Sequence, residues 1–125
     1  MDVQWFSKSF EGVVTVYETN ITLNTVASAH FKNAYRTLIG YDQKSHALII
    51  KSISKDEVAM GLYKEDETHQ ISIKPSYGRI NGKNIVRNIT AVHPLDFSQT
   101  AFHKFQCEWH QQEKFLQVFL EREVL

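Results

Sequence analysis

The feature that most constrains this chain is an approximate internal repeat. Val14-Thr15-Val16 matches Ile71-Ser72-Ile73, and Ile21-Thr22-Leu23-Asn24 matches Gly78-Arg79-Ile80-Asn81, both at one offset, since 71 − 14 and 81 − 24 each equal 57. Further on, Tyr41 to Ile50 matches Trp109 to Val118 at 109 − 41 = 68, so the second copy carries 68 − 57 = 11 extra residues, which fall in the Thr90–Thr100 stretch. A repeating unit of this kind cannot bury its apolar face alone, so each copy needs the other. The expectation is one pseudo-symmetric, barrel-like core built from a single chain.

The local pattern supplies the elements. Val13, Val14, Val16 and Tyr17 form a β-branched run that predicts a strand, and Ile21-Thr22-Leu23 a brief extended piece. Asn24 is a good N-cap, because its side chain can accept from an orphan amide of a first helical turn. The spacing of Val26, Ala27, Phe31, Ala34 and Tyr35 predicts a helix over Thr25–Tyr35. Strands over Arg36–Tyr41 and His46–Ile53 then make a hairpin about Asp42–Ser45. Ser54-Lys55-Asp56-Glu57 has capping-box spacing, with Gly61 placed to stop the helix it opens. Lys64–Thr68 reads as a solvated link.

In the second half, Gln70–Lys74 alternates as a strand, and Asn81 is placed to cap a helix that buries Ile85, Val86 and Ile89. Thr90–Thr100 reads as irregular, since Pro94 donates no ladder bond. The last segment carries two periods. Phe102, Phe105, Trp109, Leu116 and Phe119 fit a helical stripe, yet Phe105, Cys107 and Trp109 alternate, as do Leu116, Val118 and Leu120, about His110–Lys114. The match to Tyr41–Ile50 favours a hairpin.

The predicted architecture is a single α+β, β-rich domain over residues 1–125, a pseudo-duplicated swapped-hairpin-like barrel with two short helices. Residues 1–11 are an N-terminal arm or strand, 12–62 the first unit and 69–125 the second. An apolar fraction of 42% and a charged fraction of 22% suit a globular chain. With 14 basic against 14 acidic side chains the net charge is zero, so any polyanion would have to be held by a local patch. The single Cys107 precludes an internal disulfide and fits a reducing compartment. No apolar run approaches membrane-spanning length and the N-terminus lacks a signal-peptide pattern, so a cytoplasmic protein with no membrane partner is expected.

The unit from Ile21-Thr22-Leu23-Asn24 through Phe31, followed by strands Thr37–Tyr41 and His46–Ile53, resembles the AbrB/MraZ-like swapped-hairpin superfamily. The resemblance covers residues 12–53 and, more weakly, 69–120. It implies a barrel of two tandem units and a regulatory role, since such families are mostly transcription regulators or antitoxins that present basic loops and helix starts to DNA. This chain carries Thr22 and Asn24 where such units commonly carry Arg and Pro, and it has no Asp-x-x-x-Arg motif.

The strongest charge feature is the absence of acid from Thr68 to Leu95, a stretch that holds Arg79, Lys83 and Arg87 at spacings of four. On one helix side these would supply phosphate contacts, with Lys32 and Arg36 as the corresponding pair in the first helix. The bland alternative is a solvated helix face. His103-x-x-x-Cys107-x-x-His110 has helical metal-ligand spacing, but on the hairpin reading Cys107 is a small core residue and no fourth ligand suggests itself, so no metal is expected. No nucleophile–base signature, phosphate loop or cofactor motif occurs, so no enzyme and no cofactor are expected. Two functions follow: a small DNA-binding regulator contacting duplex phosphates, or a non-enzymatic interaction or assembly module, phage- or mobile-element-derived, in which Trp5, Phe6 and Phe10 dock on a protein partner or a second copy.

Overall fold

Strict alternation builds most of this molecule. In β1 (Val13–Tyr17) and β2 (Asn20–Leu23), Val14, Val16, Ile21 and Leu23 are buried while their neighbours are not. A half-buried strand requires that period of two. The computed structural model describes residues 1–3 and 11–124, so Trp5, Phe6 and Phe10 lie outside the described residues.

After β2 come helix α1 (Thr25–Ala29), the hairpin β3 (Arg36–Asp42) and β4 (Ala47–Ile53), and helix α2 (Lys55–Ala59). The second half holds β5 (Ser72–Ile73), β6 (Gly78–Asn81), helix α3 (Lys83–Val92) and the hairpin β7 (Phe102–His110) and β8 (Phe115–Val124). All pairings are antiparallel, in the order β3-β4-β8-β7-β1-β2-β6-β5, a curled half-barrel of eight strands. Its two edges meet at one bridge, where Thr37 N donates to His69 O at 2.8 Å and His69 N to Thr37 O at 2.7 Å. Helices α1 and α3 close the inner face, bringing Ala27, Ile85, Val86 and Ile89 onto the strand core around Phe31, Phe105 and Leu116.

The two halves interleave rather than sit side by side. Strand β4 pairs with β8 about Ile49↔Gln117, and 117 − 49 = 68. Strand β2 pairs with β6 about Thr22↔Arg79, and 79 − 22 = 57. Both hairpins turn through a residue of positive φ, His46 (52°) and Lys114 (60°), again 114 − 46 = 68 apart. Each then accepts from the other hairpin: Ser52 N donates to Lys114 O at 2.8 Å and Leu120 N to His46 O at 3.3 Å.

Several sequence expectations need correction. There are three short helices rather than two among the described residues, because the Ser54 capping box forms, with Ser54 Oγ accepting from Glu57 N and Glu57 Oε1 from Ser54 N, and Gly61 follows at φ +77°. Helix α1 stops at Ala29 instead of Tyr35. Beyond it Phe31 N bonds Ser28 O and Ala34 N bonds Phe31 O, tight turns that carry Phe31 into the core at 0% exposure. Asn81 is not a cap but the end of β6, opposite Asn20; Gly82 is the N-cap of α3, with no side-chain cap. Strand β5 is two residues long, and α3 runs on to Val92 before the chain turns irregular. The terminal segment is a hairpin.

Asn24 holds three elements together. Its Oδ1 accepts from Ala27 N at 3.0 Å, capping α1, and from Val13 N at 3.1 Å, while its Nδ2 donates to Glu11 O at 2.8 Å. An N-cap alone is worth about 0.5–2 kcal/mol and each further bond about 1 kcal/mol. Asn24→Ala is therefore expected to cost about 2–4 kcal/mol, read as a lower urea midpoint at unchanged m-value. A loss under ~1 kcal/mol would mean that water replaces the clamp.

Candidate functional site

The amphipathic character of α3 sets up the main candidate surface. Ile85, Val86 and Ile89 bury one face, which leaves Lys83 and Arg87, one turn apart, exposed on the other. They line an open cleft of about 570 Å³ with Thr19, Thr90 and Phe97, and Glu18 of the β1–β2 turn is its one acidic member. Gly82 N donates to Thr19 O at 3.0 Å, tying the start of α3 to that turn.

Arg79 comes from a strand, not from the helix, and lines a different surface with Tyr17, Asn20, Thr22 and Tyr77. In β6 Gly78 and Ile80 point inward, so Arg79 stands on the outer sheet face, its guanidinium 5.2 Å from the Tyr77 ring centroid. The registers Arg79↔Thr22, Thr22↔Thr15 and Thr15↔Lys104 place these residues in one row across four strands. Lys104 thereby joins the surface, with its ammonium 5.2 Å from the ring centroid of Phe102, itself 40% exposed. Sequence reasoning missed Lys104. Its alternation against buried Phe105 marked it as outward-facing, but nothing local said that β7 would lie beside β1. Among the described residues no carboxylate lies within ion-pair distance of Arg79, Lys83, Arg87 or Lys104.

Lys32 and Arg36 do not form a helix pair. Lys32 lies past the end of α1, in a separate cleft with Trp109 and Lys114. Arg36 opens β3 and is spent on structure: its Nε donates to Thr68 Oγ1 and its Nη2 to Thr68 O at 3.1 Å, pinning the buried Thr68 at the end of a 3-10 turn (Glu65–Glu67). The link between the halves is thus anchored rather than loose.

The hairpin also separates His103, Cys107 and His110. His103 Nδ1 meets Glu123 Oε2 at 3.3 Å and its Nε2 the Asp96 carbonyl at 2.8 Å, whereas His110 Nε2 meets Gln117 Oε1 at 2.8 Å. Cys107 packs with the core beside Trp109, and burial pushes its thiol up to about 12, which keeps it protonated at neutral pH.

At the end of α3 a different set converges. Tyr41 Oη contacts His46 Nδ1, His46 Nε2 lies 3.1 Å from His93 Nδ1, and His93 stands edge-on to Phe105 at 5.9 Å. One proton can bridge the two imidazoles; a second sets N–H against N–H. Burial, then His46, lowers the His93 pKa, while Glu123 and Glu121 pull it up and His103 lowers it further. His30 is lowered by burial, and His69 by burial and then Arg36. These groups bind fewer protons folded than unfolded, so stability is complete above the unfolded value of 6.5 and is lost as pH falls through the lower folded values. The melting temperature is expected to be level above about pH 7 and to drop from about pH 6.5 downward, less steeply in His93→Gln. An identical slope in that variant would remove His93 from the account.

Fold and surface together define a small, strand-rich antiparallel domain with three short helices and, among the described residues, four exposed cations without an ion-pair partner. No family model, curated protein or solved structure matches the chain. No described helix is long and apolar enough to cross a membrane.

Proposed function

We propose that this chain is a non-enzymatic, duplex DNA-binding regulatory protein that grips phosphates through Lys83 and Arg87 of α3, Arg79 of β6 and Lys104 of β7. The observation that carries this reading is two groups of exposed cations, Lys83 and Arg87 in the cleft beside α3 and Arg79 and Lys104 in one row on the outer sheet face. Four cations on three elements flank the β1–β2 turn and the adjoining sheet face, with no ion-pair partner among the described residues. Unpaired cations of this kind position a protein on a polyanion without reading sequence. The resemblance to swapped-hairpin regulators adds support, because the offsets 57 and 68 recur at the centres of the β2–β6 and β4–β8 pairings, as an internal duplication requires. In that reading the two units exchange strands to form one barrel, and β6–α3 is the second copy of β2–α1.

Titration of a fluorescent duplex at rising salt tests the proposal. Phosphate neutralisation demands that log K fall linearly with log salt. Absence of binding at about 20 mM salt, or an affinity indifferent to salt, would overturn it.

A further inference from the structure

The other flank of α3 borders a cavity of about 230 Å³ against the β3–β4 hairpin. Its floor is core: Ile39, Leu48, Ile85 and Ile89, with the Tyr41 ring on one wall. Over this floor hang the side chains of Asn84 and Asn88, one turn apart on α3, and that of His69. Neither amide side chain nor the His69 ring is hydrogen-bonded to another described residue, so each keeps free donor and acceptor capacity. No carboxylate, ammonium or guanidinium lines the space. An ion seated there would shed its hydration with no charged group in the lining itself; the nearest cations, Lys83 and Arg87, border an adjoining depression.

The end of α1 is treated differently. Trp109, the last residue but one of β7, lies just past its end, stacked on the C-cap His30 at 4.7 Å and edge-on to Phe31 at 5.4 Å. Tyr41, the last residue but one of β3, has its hydroxyl drawn to His46, and the space beside α3 stays open. A planar aromatic ring is thus what this protein itself packs beside the end of a short helix.

We infer that the cavity between α3 and the β3–β4 hairpin binds a small, uncharged, planar heteroaromatic molecule bearing adjacent hydrogen-bond donor and acceptor, the chemistry of a nucleobase or a nicotinamide ring. Its face packs on Ile39, Leu48 and Ile89, and its polar edge pairs with the Asn84 and Asn88 amides. The volume is below the roughly 300 Å³ at which drug-sized sites begin, which limits the ligand to one or two rings. The site shares no residue with the 570 Å³ cleft, although Lys83 and Arg87 also border an adjoining depression that includes its His69, Asn84 and Ile85, and it stands whether or not DNA binds.

Amide-detected NMR titration of the labelled chain with adenine, nicotinamide and nicotinate decides it. Nicotinate has the shape of nicotinamide but a negative charge. At least one neutral probe is expected to shift the Gly40, Asn84 and Asn88 amides saturably with Kd below about 1 mM, with nicotinate at least roughly tenfold weaker. Asn84→Leu/Asn88→Leu keeps the volume and removes two bonds, and should weaken binding about tenfold. Val92→Trp, at the cavity rim where Val92 is 38% exposed, should block it while the apo spectrum stays dispersed. No saturable shift at these residues up to about 20 mM of either neutral probe would overturn the assignment. So would equal binding of nicotinate, or full binding by both variants.

Discussion

Alanine at Arg79, Lys83 and Arg87 together is expected to flatten the salt dependence of duplex DNA binding. Four phosphate contacts, these three and Lys104, imply a slope of log K on log salt near −3.6, so affinity falls about 150-fold between 50 and 200 mM. With Lys104 alone the slope drops to about −0.9 and the fall to about fourfold. The variant should remain folded, because all three side chains are exposed and the stacking of the Arg79 guanidinium on the Tyr77 ring contributes only about 0.5–1 kcal/mol. Lys32→Ala serves as the control, since Lys32 lies in a separate cleft, and it should leave the slope unchanged. If the triple variant kept the full slope, the contacts would lie elsewhere. If Lys32→Ala reduced it as much as any single substitution among Arg79, Lys83 and Arg87, these cations would not be the surface.

The largest stability effect is expected at Phe31. Its side chain is fully buried, yet it sits outside any helix or strand, in the turns between α1 and β3, and meets Trp109 edge-on. Removing a buried phenyl group costs about 3–5 kcal/mol, against a typical total stability of about 5–15 kcal/mol. Phe31→Ala should therefore lower the urea midpoint by the equivalent of about 3–5 kcal/mol, whereas Phe31→Leu, which keeps most of the volume, should cost under about 1.5 kcal/mol. Here the cavity also uncouples the 30–35 segment, since those turns are held by few bonds of their own. A cost for Phe31→Ala below about 1.5 kcal/mol would show that Trp109 collapses into the gap.

Elements with a strong local period were legible in the sequence, and their boundaries were less so. Val13–Tyr17 declares itself by its β-branched run, the β7–β8 hairpin by its match to the first hairpin, and the Asn24 cap and Ser54 box by side chains that satisfy nearby amides. The helix expected to Tyr35 failed because Phe31 gains more from the core than from one more helical turn. Arg79 was misplaced on a helix because spacing by four is also what a strand end followed by a helix start can present. Trp5, Phe6 and Phe10, the expected docking arm, lie outside the described residues.

By itself, the sequence determined many of the residues that face inward and where the chain turns, since alternation, capping and turn preference act within a few residues. Only the tertiary structure decided which strands meet. The pairing of β1 with β7 brought Lys104 beside the Arg79 row, and the bonds from Arg36 to Thr68 took one cation out of contention. The placement of α3 on β2 left a cavity between it and the β3–β4 hairpin, beneath the Asn84 and Asn88 amides. Each of these depends on contacts between residues thirty or more positions apart, whose closure is set by how all the apolar faces are buried at once. No local pattern carries that information.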